Sequence, residues 1–192
     1  MAARESLAGA FQDLVRFLER ERMPYLVIGG MAQAVIGEPR LTQDVDCIIA
    51  LPSSHAATWL DGFIKAGFAV DRAKAGERIE AVGTFTARRG PWRIDVIIAS
   101  TEFEQSAFRR AQRLRVYDVE ANFPTPEDLI LLKLVPGREK DLLDAKTVLA
   151  RHRGHLDRPY LERWAQRLSD EAEDNRVWRT LQRLVTETEA AE

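Results

Sequence analysis

Arg40-Leu41-Thr42-Gln43-Asp44-Val45-Asp46-Cys47-Ile48-Ile49 places two carboxylates one residue apart at the head of an apolar run. On a strand Asp44 and Asp46 share one face, while Val45 and Cys47 point to the other. Like charges so close raise each other's pKa unless a cation offsets them, and oxygen ligands that also hold phosphates suit Mg²⁺ (or Mn²⁺). A third acid, Asp95 in Arg93-Ile94-Asp95-Val96-Ile97-Ile98, lies in an equally apolar stretch and is able to complete the set from an adjacent strand.

Upstream, Tyr25-Leu26-Val27-Ile28 reads as a short strand running into Gly29-Gly30, after which Met31-Ala32-Gln33-Ala34-Val35-Ile36 opens a helix. Glycines at such a corner let a phosphate approach the backbone, with helix N–H groups and the helix dipole facing the anion. The order strand, Gly-Gly, helix, Asp-x-Asp strand and a third strand with one Asp resembles the core of the nucleotidyltransferase superfamily that includes DNA polymerase beta. A second stretch, Thr125-Pro126-Glu127-Asp128-Leu129-Ile130-Leu131-Leu132-Lys133-Leu134 followed by Arg138-Glu139-Lys140-Asp141-Leu142-Leu143-Asp144, is similar to the region after that core in bacterial minimal nucleotidyltransferases and toxins of abortive-infection systems.

The resemblance implies roles. Asp44 and Asp46 would bind metal; Asp95 would join one metal and help to deprotonate the acceptor. Gly29 and Gly30 would cradle the β- and γ-phosphates, and Lys133 would neutralise the leaving group. Arg40 and Thr42 would either hydrogen-bond the nucleotide or brace the loop, and bracing is the favoured of the two. Asp141 and Asp144 would orient base, ribose or acceptor. Many members carry Ser where Gly30 stands, so backbone donors would have to suffice here. In-line attack on an α-phosphate uses one metal for the nucleophile and one for the leaving pyrophosphate, about 3.5–4 Å apart, and three convergent carboxylates suit that arrangement.

The 192 residues, 45% hydrophobic, allow one well-packed domain with a helical appendage. The expected fold is α+β: a small mixed sheet backed by helices over residues 1–124, then a helical part over 125–192 packed on it. Residues 4–22 show a helical stripe of Leu7, Phe11, Leu14, Val15 and Leu18. Pro52-Ser53-Ser54 signals a helix start running to about Ala66, residues 79–88 alternate as a strand, Gly90-Pro91 marks a hairpin turn, and 114–119 reads as one further strand.

The single cysteine excludes an intramolecular disulfide framework, and the chain shows neither a signal-type apolar segment nor a membrane-spanning run. A cytoplasmic protein is expected. Net charge of −2 gives no long basic footprint for nucleic acid, although a tRNA end needs only a local patch. Arg88, Arg89 and Arg93 flank the Asp95 hairpin, where they could meet a triphosphate or acceptor. Arg109, Arg110, Arg113 and Arg115 read as a solvated helix end. His152 and His155 read as solvated loop rather than metal ligands, because Gly154 interrupts them. Trp164 and Trp178 read as helical core or subunit contact.

The expected activity is metal-dependent transfer of NMP from an NTP to a hydroxyl or phosphate acceptor. The acceptor class (tRNA, protein or small molecule) is left open, as are an antitoxin-like partner and a homo-oligomer. The alternative is a non-catalytic module on the same fold that holds nucleotide or a partner.

Overall fold

A computed structural model describes residues 6–51 and 55–190. The chain divides into two compact units, Met1–Met31 with Leu41–Phe123, and Ala32–Arg40 with Pro124–Glu192.

The first unit begins with helix α1 (Leu7–Arg20), whose N-cap Ser6 side chain accepts from the Gly9 amide. Strand β1 (Tyr25–Ile28) leads into helix α2 (Gly29–Ile36), inside which the boundary between units falls. Strand β2 (Asp44–Ile49) follows, then helices α3 (Ala56–Lys65) and α4 (Arg72–Val82). Pro52-Ser53-Ser54 lies outside the described residues. Strands β3 (Thr84–Arg89) and β4 (Trp92–Ile98) form a hairpin, and helix α5 (Glu102–Arg109) opens on a capping box between Thr101 and Glu104. Strands β5 (Gln112–Val116) and β6 (Val119–Phe123) make a separate two-stranded sheet.

The main sheet is mixed, in the order β1-β2-β4-β3. Strand β2 pairs parallel with β4, and the outer strands pair antiparallel with them. One face is apolar: Val45, Cys47, Phe85, Ala87, Ile94 and Val96 are all fully or almost fully buried. Phe63 anchors the core, with ring centroids 4.7 Å from Phe17 and 5.2 Å from Phe85, both edge-on. Such pairs contribute about 0.5–1.5 kcal/mol each beyond their buried area.

Two expected elements need correction. Residues 79–82 belong to α4 rather than to a strand, because the Asp71 side chain caps that helix at Lys74 and Gly83, at φ 66°, ends it in the left-handed conformation. The stretch 114–119 is not one strand either. Tyr117 and Asp118 both take positive φ, 45° and 61°, and fold it into the β5–β6 hairpin.

The second unit is helical: the end of α2, then α6 (Pro126–Leu134), α7 (Glu139–Arg151), α8 (Arg158–Glu171) and α9 (Arg176–Glu189). Pro136-Gly137 separates α6 from α7, with Gly137 at φ 64°. The Arg176 guanidinium donates to the carbonyls of Leu134 and Val135, satisfying acceptors that the end of α6 leaves over. Trp164 is buried in the core with Leu161, Leu181 and Leu184. His152 is not free in solvent: its Nε2 donates to the Ile36 carbonyl at 2.7 Å. No helix among the described residues is long and apolar enough to cross a membrane.

Candidate active site

The apolar face of the main sheet leaves the opposite face for the acids. Because side chains alternate along a strand, burying Val45 and Cys47 turns Asp44 and Asp46 outward, and burying Ile94 and Val96 does the same for Asp95. The register then aligns them. Asp46 pairs with Asp95 across the parallel β2–β4 ladder, Ile28 lies beyond Asp46, and Thr86 lies beyond Asp95. Two residues back along β2 and β4, Asp44 pairs with Arg93, and Arg93 with Arg88 of β3. A carboxylate oxygen from each of Asp44, Asp46 and Asp95 lies within 4.8 Å of the other two. Among the described residues this is the one such group of three possible metal ligands.

Local contacts hold each member. The Thr42 hydroxyl donates to Asp44 Oδ1 at 2.8 Å. The Thr86 hydroxyl donates to Asp95 Oδ1 at 2.7 Å, and Arg93 Nε reaches the same carboxylate at 2.9 Å. Gly29 sits at φ 62°, and a Cβ on it would fall 1.9 Å from Asp46 Oδ2, so only glycine allows the main chain to pass this close to the carboxylate. Gly30, beside it, is buried at the first turn of α2. Behind the acids, burial and then the charges of Asp46 and Asp95 push the Cys47 thiol far above its ordinary value, so it does not serve as a nucleophile.

Oxygen-only ligands that are half-exposed and converge within 4.8 Å fit a hard divalent cation such as Mg²⁺ or Mn²⁺.

In the second unit, Lys133, Asp141, Asp144 and Arg40 come together in a different way. Lys133 is buried, its Nζ 3.2 Å from Asp141 and 2.7 Å from Asp144. Arg40 donates through Nε and Nη2 to the two oxygens of Asp144, both at 3.1 Å. Arg138 closes on Asp141 at 2.6 Å. Burial alone would raise the Asp144 carboxyl, but Arg40 and Lys133 outweigh it and hold the group below its ordinary 3.8. The segment that carries Arg40 is tied further by Arg151, which donates to the Gly37 carbonyl.

Nothing local to Thr86 marks it as a site residue, yet counting back across a two-residue Gly90-Pro91 turn, with Arg89 opposite Trp92, brings Thr86 opposite Asp95. Arg93 is bonded to Asp95, while Arg89 is committed to Asp13 at 2.7 Å and so braces α1.

A family model described as nucleotidyltransferase of unknown function (DUF6036) matches residues 5–190. The chain belongs to that nucleotidyltransferase family. Its α+β fold is shared with solved structures at low identity. The antibiotic-resistance factor ANT(2'')-Ia aligns at 12% identity and TM-score 0.59, over 86% of this nucleotidyltransferase and 95% of that chain. The same factor in complex with adenylyl-2''-tobramycin gives 12% and 0.55, over 84% and 96%. The lincosamide antibiotic adenylyltransferase LnuA, bound to lincomycin, gives 12% and 0.50, over 72% and 93%. No curated protein matches the sequence.

Proposed function

We propose that this nucleotidyltransferase moves NMP from an NTP to a hydroxyl or phosphate acceptor with the help of divalent metal ions. The observation that carries the reading is the alignment of Asp44, Asp46 and Asp95 on one sheet face with their oxygens within 4.8 Å. Held there, Mg²⁺ or Mn²⁺ would polarise the α-phosphate and offset the charge of the departing pyrophosphate.

The chain's own groups supply the rest. An acceptor oxygen attacks the α-phosphorus, the bond from that phosphorus to the oxygen bridging to the β-phosphate breaks, and the acceptor's proton passes to the Asp95 carboxylate. Thr86 and Arg93 fix that carboxylate for the transfer. Gly29 and Gly30, at the N-terminus of α2, offer backbone donors to the donor phosphates. Thr42 orients Asp44. The buried contacts of Lys133, Asp141 and Arg40 support a bracing role within the second unit, where each is engaged with protein carboxylates or cations.

The structures similar in fold include proteins described as a lincosamide antibiotic adenylyltransferase and as a complex with adenylyl-2''-tobramycin, which favours an adenine nucleotide donor and a small-molecule acceptor as the first pair to try. The test incubates wild type and Asp46→Asn with each α-labelled NTP, Mg²⁺ or Mn²⁺, and a total cellular extract. Label on RNA, protein or small molecules that disappears with the variant supports the proposal; identical labelling by both proteins rejects it. Growth arrest on expression, relieved by the same substitution, would mark a toxin-like target.

A further inference from the structure

The aligned rank Ile28, Asp46, Asp95, Thr86 does not stop at the edge strand β3. Thr86 also lines a cavity of about 610 Å³ between β3 and α4. It therefore belongs to both places, with its hydroxyl on Asp95 and the cavity beside it. The volume falls within the range of small-molecule sites, about 300–1,000 Å³.

The lining has a distinct chemistry. Ile64, Phe68 and Val70 are apolar, and Ile64 is 41% exposed. Asp71 and Lys74 also line it and pair with each other at 3.4 Å, so their charges cancel locally. Arg78 and Arg88 remain. Arg78 donates to the Thr84 hydroxyl at 3.0 Å and Arg88 to the Pro91 carbonyl at 3.1 Å, both neutral acceptors. Among the described residues neither guanidinium has a carboxylate within ion-pair distance. The cavity is thus apolar on one part and carries two uncompensated, fork-shaped cations on another, the pairing that receives a carboxylate or phosphate.

Position says what would enter. In-line displacement places the incoming oxygen opposite the leaving group. The glycine corner, proposed for the donor phosphates, adjoins Asp46 at the β1 side, and Asp95 with Thr86 lies toward β3. The incoming oxygen therefore approaches from the β3 side, where the cavity lies. We propose that this cavity receives the acceptor, and that the acceptor is a small molecule with an apolar body and an anionic group, carboxylate or phosphate, besides the hydroxyl that is modified. The proposal rests on the nucleotidyl-transfer reading of the same site, and it disfavours a polycationic aminosugar.

The test reads binding without nucleotide. Full-length ¹⁵N-labelled protein is titrated with 4-(hydroxymethyl)benzoate, 4-(hydroxymethyl)phenyl phosphate and 4-(hydroxymethyl)benzylamine, which share one body and differ in charge. The two anions should shift the amide signals of Phe68, Ala75, Thr86 and Arg88 at concentrations where the amine does not. The stronger of the two tells carboxylate from phosphate. Arg78→Ala and Arg88→Ala should each weaken anion binding about ten-fold, the scale of one charge-assisted contact. Equal or tighter binding of the amine, anion binding unaltered in both variants, shifts elsewhere, or no shift with any probe would overturn the assignment. Labelling that survives in the assay above alongside amine preference removes only the anionic acceptor. Anion binding at the cavity with no labelling from any NTP removes the transfer reading instead, and the acceptor role with it.

Discussion

Two sets of aspartates, both regularly spaced, meet opposite fates in this molecule. Asp44 and Asp46, two apart on a strand, stand half-exposed with Asp95 on an open sheet face. Asp141 and Asp144, three apart on α7, are buried against Lys133, Arg40 and Arg138. In the second set two carboxylates meet three cations, so the charge is more than balanced inside the protein. In the first, three carboxylates converge where the bonded contacts on Asp44 and Asp95 are two hydroxyls and one guanidinium. Compensated acids hold a structure together; acids that converge within reach of one ion on a sheet face make a place for a cation brought from outside.

The sharpest way to break that contrast is Asp46→Asn. Its side chain is partly exposed and belongs to a repulsive cluster, so the fold should keep its melting temperature. Label transfer should fall by about four orders of magnitude, the scale seen when one member of a concerted catalytic set is lost. Turnover close to wild type would remove the triad from the chemistry.

Lys133→Ala should do the reverse. It leaves Asp141 and Asp144 buried with less compensation, and stability should drop by about 3–5 kcal/mol in urea unfolding. Nucleotide affinity of the fraction that remains folded should change little. A protein of unchanged stability whose KM for NTP rises would instead give Lys133 the nucleotide contact that the resemblance implied.

How much of this contrast could be read beforehand depends on range. The shared face of Asp44 and Asp46 and the corner at Gly29-Gly30 were legible because short-range rules suffice: alternation fixes the face, and Gly-Gly, weak alone, gains meaning from its order and spacing before the Asp-x-Asp strand. The hairpin turn at Gly90-Pro91 was legible for the same reason, and even Thr86 could have been counted out from it. Where two local signals competed, reading failed. At 79–82 alternation suggested a strand, but the Asp71 cap and Gly83 terminator made those residues the last turn of a helix. At Tyr117-Asp118 no glycine marks the left-handed backbone, and Asp118 alone is of a type that tolerates it. The destination of Arg40 was the least accessible, since its partner Asp144 lies 104 residues away in sequence. Only a folded structure brings such a pair together.

Gly29→Ala sharpens the triad side at intermediate size. Left-handed backbone costs a non-glycine residue about 1–2 kcal/mol. The new Cβ would also sit on the Asp46 carboxylate. Melting should report the first cost, and label transfer should fall more steeply than folding does, because Asp46 must move. If activity tracks stability alone, close approach to Asp46 has no catalytic meaning.

The buried set has its own pH signature. Asp144 is held below its ordinary 3.8 in the folded protein, so the unfolded chain binds the proton more readily. Its contribution to stability is therefore fully present above about pH 4 and is lost as pH falls through the lower folded value. Urea midpoints from neutral pH down to about pH 2.5 should decline in that window, and Asp144→Asn should flatten the decline while lowering the plateau. A decline of equal size in the variant would assign the acid sensitivity to other carboxylates.

Thr86→Val is the finest probe. The substitution nearly preserves shape, keeps the β-branched side chain that β3 favours, and removes only the hydroxyl that donates to Asp95 Oδ1. Arg93 still reaches the same carboxylate, so Asp95 is loosened but not released. One hydrogen bond of this kind is worth about 1 kcal/mol, so kcat for label transfer should fall about five-fold with little change in KM for NTP. Thr86→Ser, which restores the hydroxyl, should recover most of the loss. A merely structural threonine would give a different pattern: both variants would shift the melting temperature, and kcat per folded molecule would stay where it was.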